Sequence, residues 1–219
     1  MKTLAIVHTT PVTIEPLKAL ARELLPDHQV INFVDDSILP KLIEDPSHMS
    51  FVRKKIIQYM KFAEKTGADI ILNACSSVGE VVKDAKKEVN IPVIRIDEAM
   101  AEKAISEGNK IGVVATLATT LNPTMALLES KAAESGKEIQ LESNVASEAY
   151  QKLMNGEKEK HDHILKDLLE KMANEVDIIV LAQASMARVV AQLPKSSQSK
   201  FLSSPKLGML RVREIAERA

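Results

Sequence analysis

Two hydrophobic periods alternate along the chain. Short apolar runs at residues 4–7, 30–33, 69–73, 91–96, 110–115, 138–141 and 177–181 have the length and β-branched content of buried strands. Between them lie segments with helical spacing. Residues 14–25 place Leu17, Leu20, Ala21, Leu24 and Leu25 on one face before Pro26, and residues 47–65 do the same with Phe51, Val52, Ile56, Tyr59, Met60 and Ala63 before Thr66-Gly67. Further helices are predicted over 78–89, 97–107, 123–135, 158–174 and 205–218, while 192–204 is polar and poorly periodic apart from Phe201-Leu202. Strands alternating with helices predict an α/β fold of mostly parallel sheets covered on both faces.

The pattern contains a repeat. Residues 68–83 and 176–191, aligned without gaps at an offset of 108, agree at Asp69/Asp177, Ile70/Ile178, Ile71/Ile179, Ala74/Ala182, Ser77/Ser185, Val81/Val189 and Val82/Val190. The apolar runs 2–8 and 110–116 fall on the same offset. This predicts a duplicated unit: two pseudosymmetric lobes, each a mostly parallel sheet flanked by helices, with the active site in the interlobe cleft. Lobe 1 is placed at 1–97, completed by a C-terminal helix over 205–219, and lobe 2 at 98–204.

Composition narrows the function. With 29 basic and 30 acidic residues interspersed, nothing in the charge favours nucleic acid or an anionic membrane as a partner, and a small molecule is the default ligand. One cysteine rules out an internal disulfide framework. With no cleavable signal and no apolar span of about 18 residues, the expected compartment is the cytoplasm. Aromatic residues, at 3%, are too few for a base-stacking platform.

In parallel sheets ligands bind beyond the carboxyl ends of strands. That directs attention to His8-Thr9-Thr10, Asn73-Ala74-Cys75-Ser76-Ser77, Thr116-Leu117-Ala118-Thr119-Thr120 and Ala182-Gln183-Ala184-Ser185, all rich in hydroxyl or amide groups. The two loops carrying Cys75 and Gln183 are predicted to lead into helices, whose free amides would hold an anion such as a carboxylate and lower the Cys75 pKa. As a lone cysteine, Cys75 could equally be a small buried hydrophobe, and Ser and Thr before a helix are also common N-caps. His161 and His163, two apart on a helix, face different directions and are expected to be solvated. No other cluster has metal-ligand spacing, and no glycine-rich fingerprint suggests a dinucleotide.

These residues carry a resemblance over nearly the whole chain. Asn73-Ala-Cys75-Ser-Ser, Val114-Ala-Thr116-Leu-Ala-Thr-Thr120 and the run from Asp177 to Gln183-Ala-Ser-Met186, in this order and spacing, resemble the aspartate/glutamate racemase superfamily, which includes hydantoin racemases, maleate isomerases and arylmalonate decarboxylases. The resemblance implies two α/β lobes, no cofactor, often a homodimer, and two cysteines that remove and return the proton α to a carboxylate. Here Gln183 stands at the second cysteine's position, and it exchanges no proton near neutral pH. The expected function is a cofactor-independent racemase or isomerase-like activity on a small amino acid or related acid, with Cys75 as proton carrier or nucleophile. The alternatives are a decarboxylase or lyase working through an enediolate, or a noncatalytic carboxylate-binding protein. His8 is the candidate acid/base partner of Cys75. Thr9, Asn73, Ser76, Ser77, Thr116, Thr119, Thr120, Gln183 and Ser185 are the candidate substrate-binding residues, and Glu148, in a loop, is a speculative second acid/base.

Overall fold

A computed structural model of the chain describes residues 1–183 and 186–218. It divides into two compact units, residues 1–98 with the chain from Pro205 onward, and residues 99–204.

The first unit holds β1 (Lys2–His8), α1 (Ile14–Leu24), β2 (His28–Val34), α2 (Ile38–Glu44), α3 (Met49–Lys65), β3 (Ile70–Asn73), α4 (Val81–Ala85) and β4 (Val93–Arg95). The second holds α5 (Glu98–Glu107), β5 (Lys110–Ala115), α6 (Ala118–Ser135), β6 (Gln140–Val145), α7 (Ser147–Met154), α8 (Lys158–Met172), β7 (Ile178–Leu181), α9 (Ala187–Val190) and β8 (Phe201–Ser203). The last helix, α10 (Ser204–Arg218), packs in the first unit. Each unit has one four-stranded sheet, in the order β2-β1-β3-β4 and β6-β5-β7-β8, and every strand pair is parallel.

Strand alternation gives the first sheet two apolar faces. Ala5, Val7, Ile71 and Val93 pack with Val52, Ile56, Met60 and Ala63 of α3, whereas Leu4, Ile6, Ile70, Leu72 and Ile94 pack with Leu17 and Ala21 of α1 and Met209 and Val212 of α10. The four α3 residues recur at the helical period, so one stripe is buried along its length. Gly67, at φ +87°, lets the chain leave α3 in the left-handed region. In the second unit Val114, Ile179, Leu181 and Phe201 pack with Leu165, Leu169 and Met172 of α8.

The structure explains the repeat and corrects its register. Asp69 Oδ2 accepts the Thr3 N–H at 2.6 Å, and Asp177 Oδ2 accepts those of Asn109 and Lys110 at 3.0 and 2.9 Å, so the repeated aspartate ties down the start of the first strand in each unit. Val7 pairs with Asn73 and Val114 with Leu181. With β3 and β7 related by 108 residues, β1 and β5 are therefore related by 107 rather than 108, and Thr9 corresponds to Thr116.

Other differences have local causes. The helix expected over 78–89 is a 3-10 turn (Ser76–Val78) followed by the short α4, and α6 begins at Ala118, upstream of Pro123. Pro123 lies inside α6, past its first turn, and has no N–H to give to the carbonyl of Thr119, so the helix continues through it with one rung of its ladder missing. The strand expected at 138–141 runs over Gln140–Val145, and β8 lies within the stretch that showed too little periodicity.

Ile71→Ala and Ile179→Ala, equivalent truncations in the two fully buried sheet cores, should each lower unfolding free energy by about 2–5 kcal/mol in urea melts. A loss below about 0.5 kcal/mol at either site would contradict the packing described.

Candidate active site

In each unit the first strand lies between the second and third strands of that sheet, with β2 or β6 on one side and β3 or β7 on the other. The chain therefore winds away in opposite directions from the carboxyl ends of β1 and β3, and of β5 and β7. Such a switch point opens a crevice between adjacent loops, which is where ligands bind in open parallel sheets. Backbone bonds hold the loops in register: Ala74 N–H donates to Val7 O and Ala182 N–H to Val114 O, each at 2.9 Å.

Cys75 is buried at the switch point of the first unit. It belongs to the core cluster of Ala5 and Val7, the odd-numbered face of β1, so alternation turns Thr9 toward it and His8 away. Thr9, Asn73, Ser76 and Ser77 are all buried with the thiol. Burial pushes the Cys75 pKa up, opposed by hydrogen bonding from the Thr9 hydroxyl, the Val78 and Ser77 N–H groups and the Ser77 hydroxyl. The expectation of a lowered pKa is thus reversed. The helical piece after Cys75 is a three-residue 3-10 turn in an apolar surround, and desolvation of a thiolate outweighs the few N–H groups it offers.

Two buried polar atoms beside the thiol have no well-formed hydrogen bond. Among the described residues, the Thr9 hydroxyl lies close enough to the sulfur to favour the thiolate yet lacks good geometry to any group, and Asn73 Oδ1 has no partner, although Asn73 Nδ2 donates to Cys75 O at 3.2 Å. A buried polar atom left bare costs about 1–3 kcal/mol. In folded proteins such atoms are completed by water, an ion or a bound molecule.

His8 is committed elsewhere. Its Nε2 lies 2.9 Å from Asn32 Oδ1 and its Nδ1 2.7 Å from Thr13 Oγ1. Asn32 Oδ1 can only accept, so the ring carries a proton on Nε2. Burial lowers the His8 pKa, with nearby Lys18 adding to the shift and the Asn32 bond opposing it. The strand brings Thr9, not His8, to Cys75.

At the second switch point Gln183 links two loops. Its Oε1 accepts the Thr116 N–H at 2.7 Å and its Nε2 donates to Thr120 Oγ1 at 3.2 Å. Thr116 and Thr120 are buried, and the half-buried Thr119 has a buried hydroxyl without a partner. Thr119 and Thr120 belong to the first turn of α6 rather than to a loop. Ser185 lies outside the described residues. Glu148 is exposed in the first turn of α7, not in a loop.

His161 was missed. It is fully buried, not solvated, and its Nδ1 lies 2.7 Å from Asp162 Oδ1, while His163 is exposed. Arg188 donates to the Asp162 carboxylate at 2.6 and 3.1 Å. Burial works to raise the Asp162 pKa, but the Arg188 and His161 bonds outweigh it and hold the carboxyl below its usual range. The core stripes of α3 and α8 match at an offset of 109, which equates His161 with Val52 and Asp162 with Arg53. Arg53 in turn pairs with Glu80 and Asp84, so the second unit carries a similar bridge with its charges reversed. Polarity of spacing alone could not reveal a histidine in an apolar stripe.

The profile of the Asp/Glu/Hydantoin racemase family matches residues 7–210. The chain belongs to this family. A glutamate racemase from Picosynechococcus sp. is 32% identical over 104 residues, 47% of this chain, and the matched stretch spans about a third, 36%, of that protein's length. An aspartate racemase homologue from Pyrococcus horikoshii OT3 superposes with a TM-score of 0.74 at 20% identity, covering 99% of this chain and all of the other. A glutamate racemase from Francisella tularensis, in complex with D-glutamate, gives 0.76 at 17% identity, over 99% and 81%. Allantoin racemase from Klebsiella pneumoniae gives 0.73 at 18%, over 100% and 89%. At these identities the structural likenesses concern the fold. Among the described residues no helix is long and apolar enough to cross a membrane, and no three His, Cys, Asp or Glu side chains are grouped to hold a metal.

The His8 environment has a measurable sign. A histidine whose folded pKa lies below the unfolded value of 6.5 contributes stability that is present above pH 6.5 and lost as pH falls through the folded pKa. Urea melts should show native stability declining below about pH 6.5, with a shallower decline in His8→Gln. Equal slopes for the two proteins would show that His8 is not buried neutral.

Proposed function

We propose that this family member is a cofactor-independent enzyme that moves the proton on the carbon α to the carboxylate of a small amino acid or related acid, with Cys75 as the proton carrier. The observation that carries this reading is the chain's single thiol, buried at a switch point beside two buried polar atoms, Thr9 Oγ1 and Asn73 Oδ1, that lack good partners. The names of its relatives, racemases of glutamate and allantoin among them, point to the same kind of carbon acid.

The residues fit that chemistry. The Ser76 and Ser77 hydroxyls can donate to a substrate carboxylate, and Asn73 Oδ1, which only accepts, suits an α-ammonium or amide N–H. A thiol whose pKa is raised by burial rests protonated and, once ionised, is a stronger base toward a weakly acidic C–H bond. In the step proposed, the Cys75 thiol first gives its proton to water, the thiolate takes the α-proton, the C–H electron pair moves into the carboxylate to give an enediolate, and the thiol returns a proton to carbon, regenerating the thiolate. Hydrogen bonds from the loop hydroxyls stabilise the developing negative charge.

A second reading is favoured by Gln183. It titrates nowhere near neutral pH and already spends both ends of its amide on Thr116 and Thr120. With one thiol, an enediolate generated by loss of carbon dioxide from a substituted malonate would be protonated by Cys75 in a decarboxylase reaction. A noncatalytic carboxylate-binding protein would instead bind such acids without touching the α-hydrogen.

One experiment separates the three. Proton NMR in deuterated water, with amino acids, hydroxy acids and substituted malonates, reads α-hydrogen exchange, inversion and carbon dioxide release together. Exchange should appear with at least one acid and fall by about 10²–10⁴-fold in Cys75→Ala. Carbon dioxide release with deuterium incorporation would select the decarboxylase. Saturable binding without exchange would select the binding protein, and exchange undiminished in Cys75→Ala would overturn the role of the thiol.

A further inference from the structure

Beside the thiol loop lies a buried ion pair that the chemistry above does not use. Arg95 ends β4, directly across the sheet from Asn73, and Asp97 follows two residues later with no exposed surface. The pair is bidentate, with Arg95 Nε donating to Asp97 Oδ1 at 2.6 Å and Nη2 to Oδ2 at 3.0 Å. Ile96 N–H donates to Asn73 O at 3.1 Å, tying the end of β4 to the strand that delivers Cys75.

The guanidinium lies against Gly79. A Cβ at that position would overlap Arg95 Nε, Cζ and Nη2, the last at 2.8 Å, so only glycine lets the two meet. Gly79 closes the 3-10 turn Ser76–Val78, its N–H donating to Ser76 O at 3.0 Å. That turn supplies the Ser77 and Val78 N–H groups that favour the thiolate.

The repeat does not reproduce this arrangement. At the offset of 108, Gly79, Arg95 and Asp97 become Ala187, Ser203 and Pro205, just as Cys75 becomes Gln183. Clamp and thiol occur together in one unit and are absent together from the other.

We propose that Arg95, fixed by Asp97, is the positioning residue for Cys75: its guanidinium braces Gly79 and so keeps the Ser77 and Val78 N–H groups aimed at the sulfur. Arg95 acts through the turn, and the proposal rests on Cys75 being the reacting group. A bidentate, planar contact is what arginine provides and lysine does not.

Because Cys75 is the only cysteine, the pH profile of its alkylation by iodoacetamide reads this thiol alone, whether or not any substrate turns over. Arg95→Lys keeps a cation beside Asp97 but loses the planar brace. Arg95→Met combined with Asp97→Asn removes both charges, leaving no buried carboxylate unpaired, and Gly79→Ala displaces the guanidinium without deleting it. Where a native melting transition is retained, the alkylation midpoint should move to higher pH by about one unit in the double variant and in Gly79→Ala, a tenfold slower reaction below the midpoint. Arg95→Lys should lie between the wild-type protein and the double variant. A midpoint that stays in place or falls in these variants overturns the proposal. Loss of the catalytic reading would instead show as an absence of α-hydrogen exchange in the wild-type protein, with the alkylation shift still present.

Discussion

The parallel pairing of the first strand of each unit with its third fixes everything that happens at the carboxyl ends. Side chains on a strand alternate between faces, so a shift of one residue in that pairing would exchange the group that meets the thiol. The observed register sends Thr9 to Cys75 and His8 to a polar niche with Asn32 and Thr13. It also makes Thr9 and Thr116 equivalent, so each unit places a threonine beside the residue at its switch point, Cys75 in one and Gln183 in the other.

Duplication kept the apolar frame and released the polar positions. Ile71 and Ile179, and Val81 and Val189, are buried in matching clusters, because a sheet covered on both faces tolerates few alternatives there. Polar positions diverged in concert. Arg53 with Glu80 and Asp84 has its charge-reversed counterpart in Asp162 with Arg188, since reversing both members of an ion pair preserves the attraction. Gly79, Arg95 and Asp97 correspond to Ala187, Ser203 and Pro205, so neither member of the buried ion pair is kept without the other, as expected where removing one member strands a charge.

The thiol unit leaves buried polar capacity without good partners beside Cys75, in Thr9 Oγ1 and Asn73 Oδ1. The other unit spends much of its capacity internally, through the Gln183 amide. A buried polar group left bare costs stability, and water, an ion or a bound molecule can offset that cost. The two strand-end clusters therefore differ in kind: one sets buried polar atoms beside a thiol, and the other ties its elements together through an amide.

Periodicity, the repeat and the lone cysteine determined the α/β class, the doubling of the unit and the loops that matter, because burying apolar stripes and alternating faces is dictated locally along the chain. The family resemblance rested on the runs at 73–77, 114–120 and 177–186, with Gln183 as the departure from the pattern, and such runs are legible in the linear sequence. The offset of β1 and β5, the strand at Phe201–Ser203, the burial of His161 and the direction of the Cys75 pKa were decided by the tertiary structure. Each depends on what lies across the sheet or against a helix face, and so on residues distant in sequence. The Arg95 brace illustrates the same limit: Gly79, Arg95 and Asp97 are unremarkable as letters, and become a unit only when a turn, a strand end and a buried carboxylate are folded within contact of one another.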